Sequence, residues 1–191
     1  MAEVLRIWSN ALGESAIPVH WFAGEDSYGT GDLGGTPPEP GRVNCMVSES
    51  AAARELIDSF SDRSADGRFA ALRSLIPGDG DGPRLAPFLL AVAGDVSEDD
   101  LVRIEAVRVF EILRIEDDSL AEKCRQALVE LARTDDDWDV RNAAGCAVFD
   151  LPGAEFELDT MRSVIAAEQE SFVRENLAAA LEGFLRRRTS T

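Results

Sequence analysis

One arginine-centred pattern recurs four times along the chain and constrains its fold more than any other feature. The arginines are Arg68, Arg103, Arg141 and Arg174, spaced 35, 38 and 33 residues apart. Apolar residues recur three, seven and, in the last three copies, ten positions after them: Ala71, Ala106, Ala144 and Leu177; Leu75, Phe110, Val148 and Leu181; Leu113, Leu151 and Phe184. These offsets lie on one face of an α-helix. A repeat of this length is typical of stacked helical hairpins.

The residues around each arginine resemble the HEAT and HEAT-like family, whose first helix carries an acid, then Val-Arg, then Ala and Leu at helical spacing. Val102, Val140 and Val173 precede their arginines, and Asp139 supplies an acid, whereas the first copy has Gly67 in place of the valine. The resemblance covers about two thirds of the chain. It implies a fold rather than an activity, because such repeats serve as scaffolds, adaptors and inhibitors alike.

The predicted fold is therefore all-α. We expect a short right-handed α-solenoid of about three and a half HEAT-like helical hairpins over residues 48–191. Residues 1–47 should form a cap with an N-terminal helix followed by an irregular or hairpin-bearing segment. The cap and the solenoid should make a single folded unit.

Hydroxyl side chains mark the predicted helix starts. We expect helices to begin after Ser48 and Ser64, at Ser97, at the Ser119 capping box and at Thr134. Each repeat arginine is expected to pair with acids at neighbouring helix starts. Arg68, Arg103, Arg141 and Arg174 are therefore predicted to have structural roles.

The charge of the chain restricts its partners. The formal net charge is −17, which repels phosphate backbones and anionic lipid headgroups, so we expect neither nucleic acid nor membrane as a partner. A basic protein would be attracted. The first ten residues contain no basic leader and no long apolar run, which predicts a cytoplasmic protein.

No residue pattern predicts a catalytic centre or a cofactor. His20, the only histidine, lies among hydrophobic residues, and no nucleophile or carboxylate can be paired with it. Residues 29–34 match GxGxxG, but the proline-rich residues that follow cannot open the helix which a dinucleotide site requires. The three cysteines lack metal-binding spacing and are expected to be reduced and mostly buried. We therefore expect a protein that is not an enzyme.

Asp135, Asp137 and Asp139 alternate like the first ligands of an EF-hand calcium loop. Such a loop needs glycine at its sixth position and an acid at its twelfth, where this chain has Val140 and Cys146. The pattern therefore predicts no metal site.

Trp138 departs from the repeat, because the other copies have Ala65, Asp100 and Ser171 three residues before the arginine. It is either a staple-like contact to the preceding helical pair or an aromatic anchor, ringed by acids, on which a basic partner docks. The candidate partner-binding residues are Asp135, Asp136, Asp137, Trp138 and Asp139.

These patterns favour stoichiometric binding of another protein. The narrower hypothesis is a cytosolic inhibitor of a basic protein, of the immunity or antitoxin type, because an acidic surface accelerates capture of a basic target. One alternative is an accessory or lyase-type HEAT-like protein that acts on a chromophore-bearing partner and needs an apolar pocket. A general scaffold or adaptor is another. The negative charge disfavours a DNA base-excision enzyme.

Overall fold

The computed structural model describes residues 49–189 as an array of α-helices. They are α1 (Ala51–Ser59), α2 (Ala65–Arg73), α3 (Gly82–Ala93), α4 (Asp100–Arg108), α5 (Asp118–Thr134), α6 (Trp138–Ala147), α7 (Leu158–Ala167) and α8 (Ser171–Thr189). Short 3₁₀ turns lie at Phe60–Asp62, Val109–Glu111, Val148–Asp150 and Ala154–Glu157. The prediction of an all-α fold is confirmed over this range. The predicted cap, with His20 and the glycine-rich segment, lies outside the described residues.

The helices form two layers. Helices α2, α4, α6 and α8 each carry one repeat arginine and contact one another in that order, so we call them the arginine layer. Helices α1, α3, α5 and α7 contact one another in the same way and form the second layer. This stacking confirms the predicted solenoid.

The most closely packed consecutive helices are a second-layer helix and the arginine helix that follows it, as in α3 with α4 and α5 with α6. In the family pattern, by contrast, the arginine helix is the first helix of its hairpin. The reason for the difference lies in the connections: residues 135–137 link α5 to α6, whereas two 3₁₀ turns separate α6 from α7. Short links hold consecutive helices together as antiparallel neighbours.

Most of the predicted core positions are buried. Val102, Val140 and Val173, which precede three of the arginines, have no exposed surface. Ala71 and Leu181 are only half-buried, and both belong to the first or last arginine helix. An end repeat has a neighbour on one side only, so part of its apolar face stays open.

Aspartates cap the helices of the second and third repeats. Asp99 accepts a hydrogen bond from the backbone of Leu101 (3.0 Å) and caps α4. Asp137 caps α6. The predicted caps were Ser97 and Thr134, but the Thr134 hydroxyl donates to the carbonyl of Glu130 in the last turn of α5. These two predicted starts are therefore wrong by two or three residues.

The other helix starts agree with the prediction only at Ser64, which caps α2. Asp117 caps α5, so Ser119 lies inside the helix. Ser50, rather than Ser48, caps α1. Serine and aspartate are similarly good N-caps, so neighbouring candidates could not be ranked from sequence.

A buried carboxylate fixes α1 against the start of α3. Asp81 is fully buried and accepts hydrogen bonds from the Ser50 backbone (2.6 Å), the Ser50 hydroxyl (2.7 Å) and the Gly78 backbone (2.7 Å). Burial by itself would raise the pKa of Asp81, but these hydrogen bonds lower it below the ordinary value. The Asp81 carboxylate therefore joins the first helix to the rest of the array.

Candidate protein-binding surface

Three of the repeat arginines bind a carboxylate that precedes the next helix of the arginine layer. The pairs are Arg68 with Glu98 (2.8 Å), Arg103 with Asp135, and Arg141 with both oxygens of Glu168 (2.9 and 3.1 Å). This agrees with the prediction that the arginines pair with acids at neighbouring helix starts. We call the four arginines and these three carboxylates the arginine ladder, because each pair joins one repeat to the next.

The central pair of the ladder is almost fully enclosed. The side chains of Arg103 and Asp135 are 3% and 4% exposed, and the guanidinium also donates to the carbonyl of Ala93 (3.0 Å). Asp135 was among the predicted partner-binding residues. Its carboxylate is instead a structural group inside the protein.

The neighbouring acids differ in what they offer to a partner. One oxygen of Asp137 accepts the backbone N–H groups of Asp139 (2.8 Å) and Val140 (3.0 Å), so this carboxylate serves as a helix cap. Asp139 is half-buried, and burial together with the nearby Asp137 carboxylate raises its pKa above the ordinary value. Asp136 is exposed. Of the four predicted acids, Asp136 alone is exposed.

Trp138 lies at the surface and contacts a second aromatic residue. Its ring meets that of Phe172 edge-to-face, with centroids 6.0 Å apart and an interplanar angle of 86°. Trp138 is 42% exposed and Phe172 is 57% exposed. This contact is made to the following arginine helix, α8, whereas the staple interpretation placed it on the preceding pair.

Phe172 was missed in the sequence because its position looked like an ordinary helix start. It lies two residues before Arg174, and the corresponding residue in α4 is Leu101, which is 60% exposed. Aligning the arginines does not pair the two aromatic residues, because Trp138 lies three residues before Arg141 whereas Phe172 lies two residues before Arg174.

These residues together form one edge of the arginine layer. Because α4, α6 and α8 stack with the ladder joining their starts, their first residues lie along the same edge. We call it the aromatic edge and define it by Leu101, Trp138 and Phe172, with the exposed carboxylates of Asp100, Asp136 and Glu170. The edge combines exposed aromatic surface with negative charge.

Two cavities accompany these elements. A groove of about 280 Å³ lies beside the aromatic edge and is lined by Arg133, Asp135, Arg141, Val164, Glu168 and Glu170, among others. A larger cavity of about 430 Å³ lies at the other end of α5, where Asp118, Glu122, Arg125, Phe156 and Glu157 line it. Charged side chains line part of both cavities. Neither resembles a closed apolar pocket for a chromophore.

The described residues offer no activated nucleophile among their cysteines. Burial raises the pKa of the Cys124 thiol to about 12. Burial and the carboxylates of Asp150 and Glu111 raise the pKa of the Cys146 thiol to about 11. Both thiols therefore stay protonated at neutral pH. Between residues 49 and 189, no group of three His, Cys, Asp or Glu side chains could hold a metal ion, and no helix there is long and apolar enough to cross a membrane.

The ladder should make stability sensitive to acid. Hydrogen bonds from Arg141 lower the pKa of Glu168, against an opposing effect of burial. The folded-state pKa thus lies below that of the unfolded chain, about 4.3 for Glu. Glu168 therefore contributes its full stabilisation above that value, and the contribution is lost as pH falls through the folded-state pKa. We expect Glu168→Gln to destabilise the protein at pH 7 and progressively less below pH 5.

Paired denaturant melts of the parent protein and Glu168→Gln, at several pH values from 7 to 3, measure this effect. The difference between the two proteins is the informative quantity, because Glu111, Asp139 and Asp150 have raised pKa values that act in the opposite direction in both. A difference that stays constant over this range would contradict the prediction.

Comparison with known proteins supports the architecture. Neither curated proteins nor solved structures gave a match to this chain. The family model described as HEAT repeats matches residues 52–148, which is half of the chain and spans α1 to α6. The ladder continues past that match, because Arg141 binds Glu168 before α8. With the matched segment and the arginine-linked helical stack in agreement, the chain belongs to the HEAT repeat family.

Proposed function

We propose that this protein is a non-catalytic module that binds another protein through the aromatic edge. HEAT repeats generally serve as protein-binding scaffolds, so the coarse function follows from the family. The observation that supports the location is the exposed pair of Trp138 and Phe172. Exposed aromatic residues at a rigid surface are typical of interface hot spots, since they bury a large area with few rotatable bonds.

The partner that suits this surface is a basic protein. The chain carries a net charge of −17, and Asp100, Asp136 and Glu170 place exposed carboxylates along the aromatic edge. A surface of this sign attracts a basic partner over long range and speeds its association. We therefore propose a stoichiometric inhibitor of a basic protein, of the immunity or antitoxin type, that acts in the cytoplasm.

Two other functions remain as alternatives. A general scaffold or adaptor would use the same edge without inhibiting its partner. An accessory or lyase-type protein would need an apolar pocket for a chromophore, and several charged side chains line each of the two cavities described above. The charged linings favour the protein-binding proposal over the chromophore alternative.

Binding kinetics of single variants test the proposal. A partner is first captured from the native host and identified, and its association and dissociation rates are then measured. Trp138→Ala is expected to speed dissociation by roughly 30-fold, which corresponds to a loss of about 2 kcal/mol. Asp136→Asn should mainly slow association and reduce its dependence on salt, because rim charges steer encounter.

Phe156→Ala is the matched control, since Phe156 is also an exposed aromatic residue (77%) but lies at the other end of α5. It should leave both rates unchanged, and thermal melts must show that all variants are folded. If the partner dissociates from Trp138→Ala and from Phe156→Ala at the same rate as from the parent protein, the aromatic edge is not the interface.

A further inference from the structure

The last arginine of the ladder has the same pose as Arg141 but lacks a carboxylate. In Arg141, Nη1 donates to the carbonyl of Asp135 (2.9 Å), six residues earlier, while Nε and Nη2 hold Glu168. In Arg174, Nη1 donates to the carbonyl of Glu168 (2.7 Å), also six residues earlier. Across residues 49–189, the structure shows no carboxylate in contact with the Nε and Nη2 atoms of Arg174.

This pose leaves the Nε–H and Nη2–H groups of Arg174 positioned to bind a ligand. A guanidinium is planar, so anchoring Nη1 to a fixed carbonyl also fixes the direction of the Nε–H and Nη2–H bonds. That pair of donors matches the two oxygens of a carboxylate. Because the side chain is already positioned, binding costs less conformational entropy than it would for a free surface arginine.

Arg174 lies at the end of α8 that adjoins the aromatic edge, although side chains two residues apart in a helix point to different sides. It follows Phe172 by two residues in α8, at the same end of that helix, and it is half-buried. Every earlier arginine of the ladder is occupied by an acid from the next repeat, and α8 is the last arginine helix among residues 49–189. The acid that would complete the ladder must therefore come from outside residues 49–189.

We propose that Arg174 is a binding site for a carboxylate of the partner protein, an Asp or Glu side chain that occupies the place Glu168 occupies on Arg141. The identity of the occupant as a protein rests on the proposed function, whereas the affinity of Arg174 for a carboxylate does not. A basic partner that presents one acid at this point would be selected over basic proteins that lack it. The site thus adds specificity to the general electrostatic attraction.

The first test uses the full chain, labelled with ¹⁵N, and follows the Nε–Hε signals of its arginines during titration with sodium acetate. Sodium chloride at equal ionic strength is the reference. The Arg174 signal is expected to shift in a saturable way and several-fold more than the signals of Arg141 and Arg162. Arg141 is the occupied control, and Arg162 is the exposed control, with its ion pair to Asp159.

Two outcomes of this titration would overturn the proposal. One is an Arg174 signal that moves no more than that of Arg162. The other is a larger response to inorganic phosphate than to acetate at equal concentration, since that would make Arg174 a general oxyanion site.

A second variant provides a positive control. Glu168→Ala removes the carboxylate from Arg141 but leaves the backbone carbonyl on which Arg174 is anchored. In the folded variant, the Arg141 signal should acquire a response to acetate. A folded Glu168→Ala protein whose Arg141 signal stays insensitive would show that this pose does not bind carboxylates, and the proposal would fail. The titration of the parent protein remains decisive if the variant does not fold.

The partner measurement separates this inference from the proposed function. Arg174→Lys keeps the charge but loses the paired donors, so it should speed dissociation of the captured partner several-fold, whereas Arg162→Lys should not. If Trp138→Ala weakens binding and Arg174→Lys does not, the aromatic edge is the interface and the carboxylate proposal alone is wrong. If acetate binds Arg174 but neither Trp138→Ala nor Arg174→Lys changes the dissociation rate of the partner, the proposed interface is wrong.

Discussion

Replacing Asp135 by alanine is expected to lower the free energy of unfolding by about 3 to 5 kcal/mol. The change leaves the buried guanidinium of Arg103 with only the exposed carboxylate of Asp100 (3.4 Å), and an incompletely compensated buried charge is costly. It also removes the acceptor of the Asp137 backbone N–H (3.0 Å), just before α6. Denaturant melts at pH 7 measure the loss.

Asp136→Ala is the matched control, because it removes the same side chain one residue further on, from an exposed position. It should change the unfolding free energy by no more than about 0.5 kcal/mol. Asp135→Asn, which keeps an acceptor but removes the charge, should fall between the two. Equal stability of Asp135→Ala and Asp136→Ala would mean that the ladder does not hold the repeats together.

Introducing a charge at Ala144 is expected to be at least as damaging, with a loss of about 4 kcal/mol or more for Ala144→Glu. Ala144 has no exposed surface and lies in α6, which packs against α4, α5 and α8. The neighbouring Gly145 is closely packed as well, since a Cβ atom added there would lie 2.5 Å from the Cδ2 atom of Leu177. The glutamate would therefore be buried without a partner or would force the helices apart.

Ala179→Glu is the control for this change, because Ala179 is exposed in the middle of α8. It should alter the unfolding free energy by about 0.5 kcal/mol or less. Thermal and denaturant melts of both variants test the helical register. If Ala144→Glu and Ala179→Glu unfold at the same temperature and the same denaturant concentration, position 144 does not face the adjoining helices.

The ladder reduces the number of carboxylates that can contact a partner directly. The carboxylates of Glu98, Asp135 and Glu168 are neutralised by arginines, and those of Asp99 and Asp137 satisfy backbone N–H groups at helix starts. Acids that look equivalent in a run such as residues 135–137 therefore differ in whether their carboxylates can contact a partner. Long-range attraction still follows from the net charge, but direct contacts are limited to the few carboxylates that remain exposed.

The sequence by itself determined the helical class, the position of the repeats and most of the core. Helical periodicity is a local property, so residues such as Ala144 and Val140 could be placed on the buried face from their spacing alone. The structural role of the repeat arginines was also predictable, because a charged residue that recurs at a buried position needs a recurring partner. The family followed from the same pattern.

Only the tertiary structure decided which residues form the candidate surface. The carboxylates of Asp135 and Asp136 are adjacent in the chain, yet one is enclosed by Arg103 and the other is exposed, because the stacking of α4 on α6 sets which of them meets the guanidinium. The pairing of Trp138 with Phe172, 34 residues apart, depends on the same stacking. The free edge of Arg174 arises because no further arginine helix packs on α8 within residues 49–189. Contacts between distant segments depend on how whole helices pack, and no local spacing encodes that geometry.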